Sequence, residues 1–258
     1  MKKIIIGNYF KMKKLLSILI IFLASANLTY GAIARDASSA TTATSSSTVN
    51  KTLYVSYTVT AGSTNRLLVA IGFEWNGTQS ITSVTYASTT MTLGQATPTN
   101  ADGETSYVYF LDNPASGTNN VVVNGVTNEL MHGNLVAHAQ NYTGVKQTGT
   151  ADAIGGNKGA TASTMTGTVI TVANNSWAVM SGYNTGGSLV ASTNATSVSN
   201  SGGSMMADNQ TYGPITPAGS FSETITSASG NWTWAMMSFE PDIPVAAATG
   251  EEYTIIFD

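Results

Sequence analysis

The sequence predicts an all-β protein, a single antiparallel two-sheet β-sandwich preceded by a signal peptide. Three observations carry that expectation. Thr52–Thr60 alternates strictly, with Leu53, Val55, Tyr57 and Val59 on one face, which is the period of a half-buried strand. Arg66–Phe73 is an apolar run too short to cross a membrane and too β-branched and Gly-interrupted for a helix. It reads as a strand covered on both faces. Finally, short β-prone runs recur along the chain at roughly 8–12-residue spacing with turn dipeptides between them. Composition agrees: charged residues are 9% of the chain, against roughly 25% in an ordinary soluble protein. Thr, Ser, Gly, Ala, Val and Asn dominate, and these suit pleated surfaces and turns better than helices.

From the N-terminus, Lys13-Lys14 precedes the apolar Leu15–Leu23 and then Ala24-Ser25-Ala26. A basic n-region, a short h-region and an A-x-A pattern define a secretory signal peptide over residues 1–26, with cleavage as late as residue 32 as an alternative. The other reading is a retained anchor, but the run falls short of the ~20 residues a spanning helix needs. After signal cleavage no segment is long and apolar enough to span a membrane. The expected localisation is secreted or cell-surface.

The sandwich domain is expected over residues 33–241. Ala37–Ser47 is a low-complexity Ser/Thr/Ala tract that reads equally as a linker or a frayed first strand. Strands follow at Thr52–Thr60 and Arg66–Phe73. Asn76-Gly77 is a type I′ hairpin signal. Ile81–Tyr86 and Thr90–Leu93 flank an Ala-Ser pivot, and Asp102-Gly103 turns into Ser106–Leu111. Asn113-Pro114 stops that strand, Asn120–Val123 is the next, and Asn124-Gly125 reads as another turn. Leu130–Tyr142 is a long strand. Gly155–Thr164 reads as a Gly/Ala/Thr-rich loop, and Gly167–Val172 and Ser176–Tyr183 as strands around Asn174-Asn175. Met205–Tyr212, Ser220–Thr226 and Asn231–Glu240 close the domain before Pro241 and Pro244. Residues 242–258 form a tail ending in the β-prone Tyr253–Phe257, which could pair with a sheet edge on this or another molecule and so support self-association.

Several function classes are narrowed by composition. The chain has no cysteine, which excludes a disulfide framework, a thiolate metal site and a Cys nucleophile. Five of its ten Lys and Arg residues precede residue 15, so the exported chain carries five against fourteen acids, a net charge of about −9. Phosphate-led nucleic-acid binding is disfavoured by that balance.

A run of motifs spans nearly all of residues 33–241: AGSTNRLLVAIGFE (Ala61–Glu74), ITSVTYASTTMTLGQA (Ile81–Ala96), SYVYFLDNPASGTNNVVV (Ser106–Val123), AHAQNYTGVKQ (Ala137–Gln147), SWAVMSGYN (Ser176–Asn184) and WAMMSFEP (Trp234–Pro241). In order and spacing it resembles a family of exported or surface-associated bacterial proteins, mostly of unassigned function. The resemblance implies a jelly-roll-like, lectin-like β-sandwich. It also implies kinship with modules of surface, adhesion or carbohydrate-associated proteins. Its motifs are turns and core positions, so it implies no reaction, and a shared sandwich does not establish a shared ligand.

Candidate sites are few. His132, Asn134, His138, Gln140 and Tyr142 share one strand face by parity, giving either a polar ligand face or a solvated sheet surface. His132 and His138 are six residues apart, roughly 20 Å in an extended strand, so one ion cannot bridge them unless the strand is broken at Gly133. Trp232 and Trp234 share parity, either as a sugar-stacking platform or as core, and Trp75 is a third aromatic candidate. Asn100, Asp102 and Glu104 place three oxygen-bearing side chains at alternate positions around Gly103, a candidate calcium site or a plain hairpin tip. No other cofactor is expected. Glycoside hydrolysis would need an acid pair, for which Glu74, Glu104 and Glu223 are candidates.

The expected function is therefore a secreted, non-enzymatic extracellular or cell-surface module, structural or adhesive, with an extracellular glycan or surface protein as partner. A secreted carbohydrate-active enzyme and a self-assembling matrix or filament subunit are the alternatives.

Overall fold

A computed structural model describes residues 32–36, 40–46, 49–73, 79–97, 103–127, 133–148, 151–184, 197–201 and 206–242, side chains excepted at 40–46, 133–134, 161, 197–201, 206–211 and 227. All of them lie within one compact unit, Gly31–Asp242. The expected signal peptide, the tail, Asn76-Gly77 and most of Gly186–Gly203 lie outside the described residues.

The chain is all-β and antiparallel, and its layers pack as in a β-sandwich. Among the described residues the strands form three sheets, where two were expected. The central sheet contains β1 (Ala34–Arg35), β2 (Ala40–Ser46), β4 (Arg66–Phe73), β7 (Thr92–Ala96), β8 (Thr105–Asp112) and β10 (Gly133–Thr143). Its order is β1-β10-β4-β8-β7, with β2 also pairing with β10. The first outer sheet is β3 (Asn50–Val59), β5 (Gln79–Tyr86), β6 (Thr89–Thr90) and β9 (Gly117–Thr127), ordered β3-β9-β5-β6. The second outer sheet is β11 (Ile154–Ile170), β12 (Ser176–Asn184), β13 (Ser197–Ser201), β14 (Met206–Ile215) and β15 (Ser220–Phe239), ordered β11-β15-β12-β14-β13.

The reason for a third sheet is written in β4, all eight of whose residues are buried. Leu67, Val69, Ile71 and Phe73 face the first outer sheet and join Leu53, Val55, Tyr57, Val59, Val121 and Val123 in one apolar cluster. Leu68 and Ala70 face the other way and join Val108, Phe110, Val179, Ala235, Met237 and Phe239 in a second. At about 1.5–3 kcal/mol per fully buried large aliphatic side chain, leaving either face wet would forfeit several kcal/mol. Hydrogen bonds tie the layers as well. The Asn141 amide donates to the Tyr57 hydroxyl (2.8 Å) on the first side. On the second side, Ser181 donates to the Ile71 carbonyl (3.1 Å), and the Ser106 and Thr233 hydroxyls meet at 2.8 Å. At the start of β4, the middle strand of the central sheet, Arg66, 2% exposed, is held by Asp112 (2.6 Å) and donates to the Lys146 carbonyl.

The second outer sheet carries the largest departures from the sequence expectation. Gly155–Thr164, read as a loop, belongs to β11. Ser220–Thr226 and Asn231–Glu240, read as two strands, are one strand, β15. β11 and β15 pair from Ile154↔Met237 to Ile170↔Ser220, with register shifts between Gly159 and Thr164. Beyond these shifts the ribbon doubles back: a Cβ at Gly155 would sit 2.5 Å from the Thr168 carbonyl oxygen. Met165, Val169 and Ile225 of the returning half therefore pack with Ala178, Met180, Tyr212, Ile215, Trp234 and Met236 in a third apolar cluster.

Asn124-Gly125 is a further correction. It is not a turn but part of β9, where Asn124 bridges to neighbouring strands and Gly125 leaves room for the Phe73 ring. The Ser/Thr/Ala tract does form a strand, β2, on β10. The Ala-Ser pivot is a two-residue hairpin loop, Ala87 and Ser88 both at positive φ, the backbone a type I′ turn demands even without Asn-Gly.

Candidate functional site

The described side chains of the polar face expected on β10 do not reach solvent. His138 is 5% exposed, and Gln140 and Tyr142 are buried, because the face that carries them is covered by the second outer sheet. Val136, on the same face, packs on Tyr183, and Tyr142 meets Phe239 edge-on at 4.9 Å. Gln140 is fixed by Arg35 (3.2 Å) and by its own donation to the Asp36 carbonyl (2.9 Å). Burial, reinforced by the Arg35 charge, pushes His138 down to about 4 from its usual 6.5, so it is neutral at ordinary pH. Asn134 lies on β10 opposite Ser45; its side chain, with His132 and Trp75, is outside the described residues.

Trp234 and Trp232 are not an outward platform. Trp234 is 5% exposed and its ring lies over Gly155, while half-buried Trp232 lies against Gly159. Of the calcium candidates, Glu104 is fully buried and Asn100 and Asp102 lie outside the described residues. Among the described residues no three His, Asp or Glu side chains gather as metal ligands. Of the acids, Glu74 lies outside the described residues. Glu104 precedes β8 in the central sheet, and Glu223 sits on β15 in the second outer sheet, lining an open groove.

What does reach solvent is the outer face of the first outer sheet. Strict alternation in β3 buries Leu53, Val55, Tyr57 and Val59 and turns Thr52, Tyr54, Ser56 and Thr58 outward. Register then builds a grid. Thr52 donates to Asn124 on β9 (2.8 Å), and Asn124 donates to Ser83 on β5 (2.9 Å), one hydrogen-bonded row across three strands. The next row is Tyr54–Val122–Thr85, then Ser56 with Asn120, then Thr58 and Thr118, whose hydroxyls meet at 2.7 Å. No charged side chain belongs to these rows. On the edge strand β3, Tyr54 is 59% exposed, a flat ring beside Val122 and next to the hydrogen-bonded Thr52–Asn124–Ser83 row. Tyr54 was missed as a candidate, yet the alternation that placed Leu53 and Val55 inside also placed it outside.

Comparison with protein-family models and with curated proteins gave no match to this chain.

Proposed function

We propose that this chain is an exported, non-enzymatic adhesive module that binds a glycan on the outer face of the β3–β9–β5 sheet. The observation that carries the reading is the neutral hydroxyl-and-amide grid that borders exposed Tyr54. A sugar ring offers an apolar C–H face and a rim of hydroxyls. An aromatic ring matches the first, and preoriented Thr, Ser and Asn side chains match the second. Such a face pays little desolvation, because no charge has to leave water. Export is supported by the Lys13–Ala26 pattern and by a surface whose solubility rests on hydroxyls and amides rather than charge. The non-enzymatic reading is supported by the burial of Glu104 and of His138 among packed side chains.

The test is a glycan array probed with the exported chain, followed by titration of the best binder. Tyr54→Ala should weaken binding by about tenfold or more while leaving the melting temperature unchanged, since an exposed aromatic contributes to contact and not to the core. Tyr54→Phe, which keeps the ring, should retain most of the affinity. Binding indifferent to Tyr54→Ala, or turnover of any bound glycan, would overturn the proposal.

A further inference from the structure

A β-bulge interrupts the first outer sheet beside Tyr54. β5 pairs with β9 as Ile81↔Gly125 and then as Ser83↔Asn124, so one extra residue, Thr82, is inserted opposite Asn124. A bulge bends its strand locally and re-aims the side chains on it. Ile81 before the bulge and Val84 after it both pack on the core, which turns Thr82 and Ser83 away from it together. Asn124 is therefore held from both neighbouring strands. Thr82 donates to its backbone carbonyl (3.1 Å), Thr52 donates to its Oδ1 (2.8 Å), and its own Nδ2 donates to Ser83 Oγ (2.9 Å). Tyr54 is its diagonal neighbour, since Thr52 pairs with Asn124 and Tyr54 with Val122. Such neighbours stand about 7–8 Å apart, within reach of one ligand ring.

A side-chain amide has two N–H donors and an oxygen with two lone pairs. Ser83 takes one N–H of Asn124 and Thr52 takes one lone pair. Because those two hydroxyls flank Asn124 on opposite strands, the N–H and lone pair left over lie next to each other on the outer edge of the amide. Turning the amide over exchanges the roles of the two hydroxyls, each of which can donate or accept, and leaves the same pair free. An adjacent donor and acceptor select their partner. A vicinal diol fits, one hydroxyl donating to the lone pair while its neighbour accepts the N–H. An acetamido group does not, because its N–H and C=O point in opposite directions across a trans amide. A carboxylate only accepts, and would set an oxygen against the Asn124 lone pair. Resting on the reading of this face as a glycan site, we propose that Asn124 is its specificity-determining residue and selects a neutral sugar with an unsubstituted vicinal diol. The sugar stacks its C–H face on Tyr54 and presents the diol to the Asn124 amide.

The experiment starts from the array glycans whose binding is lost in Tyr54→Ala. Each should carry a free vicinal diol on a neutral sugar. The best of them is then titrated beside its mono-O-methyl derivatives, which keep the ring and its C–H face. Methylation of either hydroxyl of one vicinal pair should weaken binding to the native chain by about tenfold or more. Asn124→Asp keeps acceptors for the Thr52 and Ser83 hydroxyls but removes the N–H. It should weaken the parent glycan by a similar factor, and methylation at that pair should add little further loss in the variant. Folding is checked by circular dichroism, and should the variant not fold, the methyl series on the native chain decides. A best binder without a vicinal diol, no vicinal pair sensitive to methylation, or full affinity in folded Asn124→Asp would each overturn the inference and leave the Tyr54 reading in place. Absence of any Tyr54-dependent binder would overturn both.

Discussion

The interior under the first outer sheet and the doubled-back ribbon of the second fill their volume in different ways. Between the first outer sheet and the central sheet, large side chains meet large side chains: Leu53, Val55, Tyr57 and Val59 interdigitate with Leu67, Val69, Ile71 and Phe73. Within the doubled-back ribbon of the second outer sheet, several of the largest side chains lie over glycine instead. Trp234 covers Gly155, Trp232 covers Gly159, and Met180 and Met236 converge on Gly167. Interiors of both kinds reach crystal-like density, but they distribute the volume differently. In the first, each strand carries most of its own share, with Gly125 under the Phe73 ring the exception. In the second, the glycines of β11 supply space for large side chains of β12 and β15, while Met165 and Val169 of β11 fill a share of their own.

Removing a share from the first interior should have the largest effect. Phe73 is fully buried and its ring rests on Gly125, which has no side chain to fill a void. Phe73→Ala should lower stability by about 3–5 kcal/mol in urea unfolding, the usual range for deleting a buried aromatic. A loss below about 1 kcal/mol would mean that this interior collapses around the hole and is no tighter than the other.

The same contrast decides what was legible in the sequence. β3 and β4 could be read because a strand that carries its own volume shows it, as alternation in Thr52–Thr60 and as an apolar run in Arg66–Phe73. β4 even announced that both of its faces are covered, although the sheet that covers the second was not counted. β11 could not be read. Its Gly155, Gly159 and Gly167 are small because Trp232, Trp234, Met180 and Met236 need room, and those partners lie on other strands. Out of context a glycine-rich segment looks like a loop. The site followed the same rule. Tyr54 was fixed by local alternation, whereas the burial of His138, Gln140 and Tyr142 depended on a layer that parity within one strand cannot reveal.

The layer over His138 gives the second prediction. An imidazole held near pKa 4 in the fold and near 6.5 when unfolded binds its proton more readily in the unfolded chain between those values. Stability from this group is therefore complete above about pH 6.5 and is lost as pH falls through about 4, a total on the order of 3 kcal/mol. Carboxylates titrate near the lower end of that window, so the comparison is with His138→Gln. From pH 7 to pH 4.5 the native chain should lose roughly 2–3 kcal/mol more than the variant in urea unfolding. Parallel pH profiles would show that the second interior does not seal this face as the structure has it.

The smallest effect is the most discriminating, because it separates two glycines of the same strand. At Gly155 an added Cβ would come within 2.5 Å of the Thr168 carbonyl oxygen, backbone of the returning half of the ribbon, with Trp234 at 3.3 Å behind it. At Gly167 the added atom would meet Met236 Cε at 2.9 Å and Met180 Sδ at 3.0 Å, the far ends of two flexible side chains. Thioethers can swing aside, whereas a doubled-back backbone cannot without unbending. Alanine also restricts the unfolded chain at both positions, a gain of about 0.4–1 kcal/mol where the fold tolerates it. Gly167→Ala should thus fall within about 1 kcal/mol of the native chain in either direction, while Gly155→Ala should cost about 2 kcal/mol or more, in the range of overpacked cores. Equal costs at the two sites would mean that methionine packing here is as rigid as backbone. The distinction between an interior that fills by interlocking and one that fills by covering glycine would then lose its physical basis.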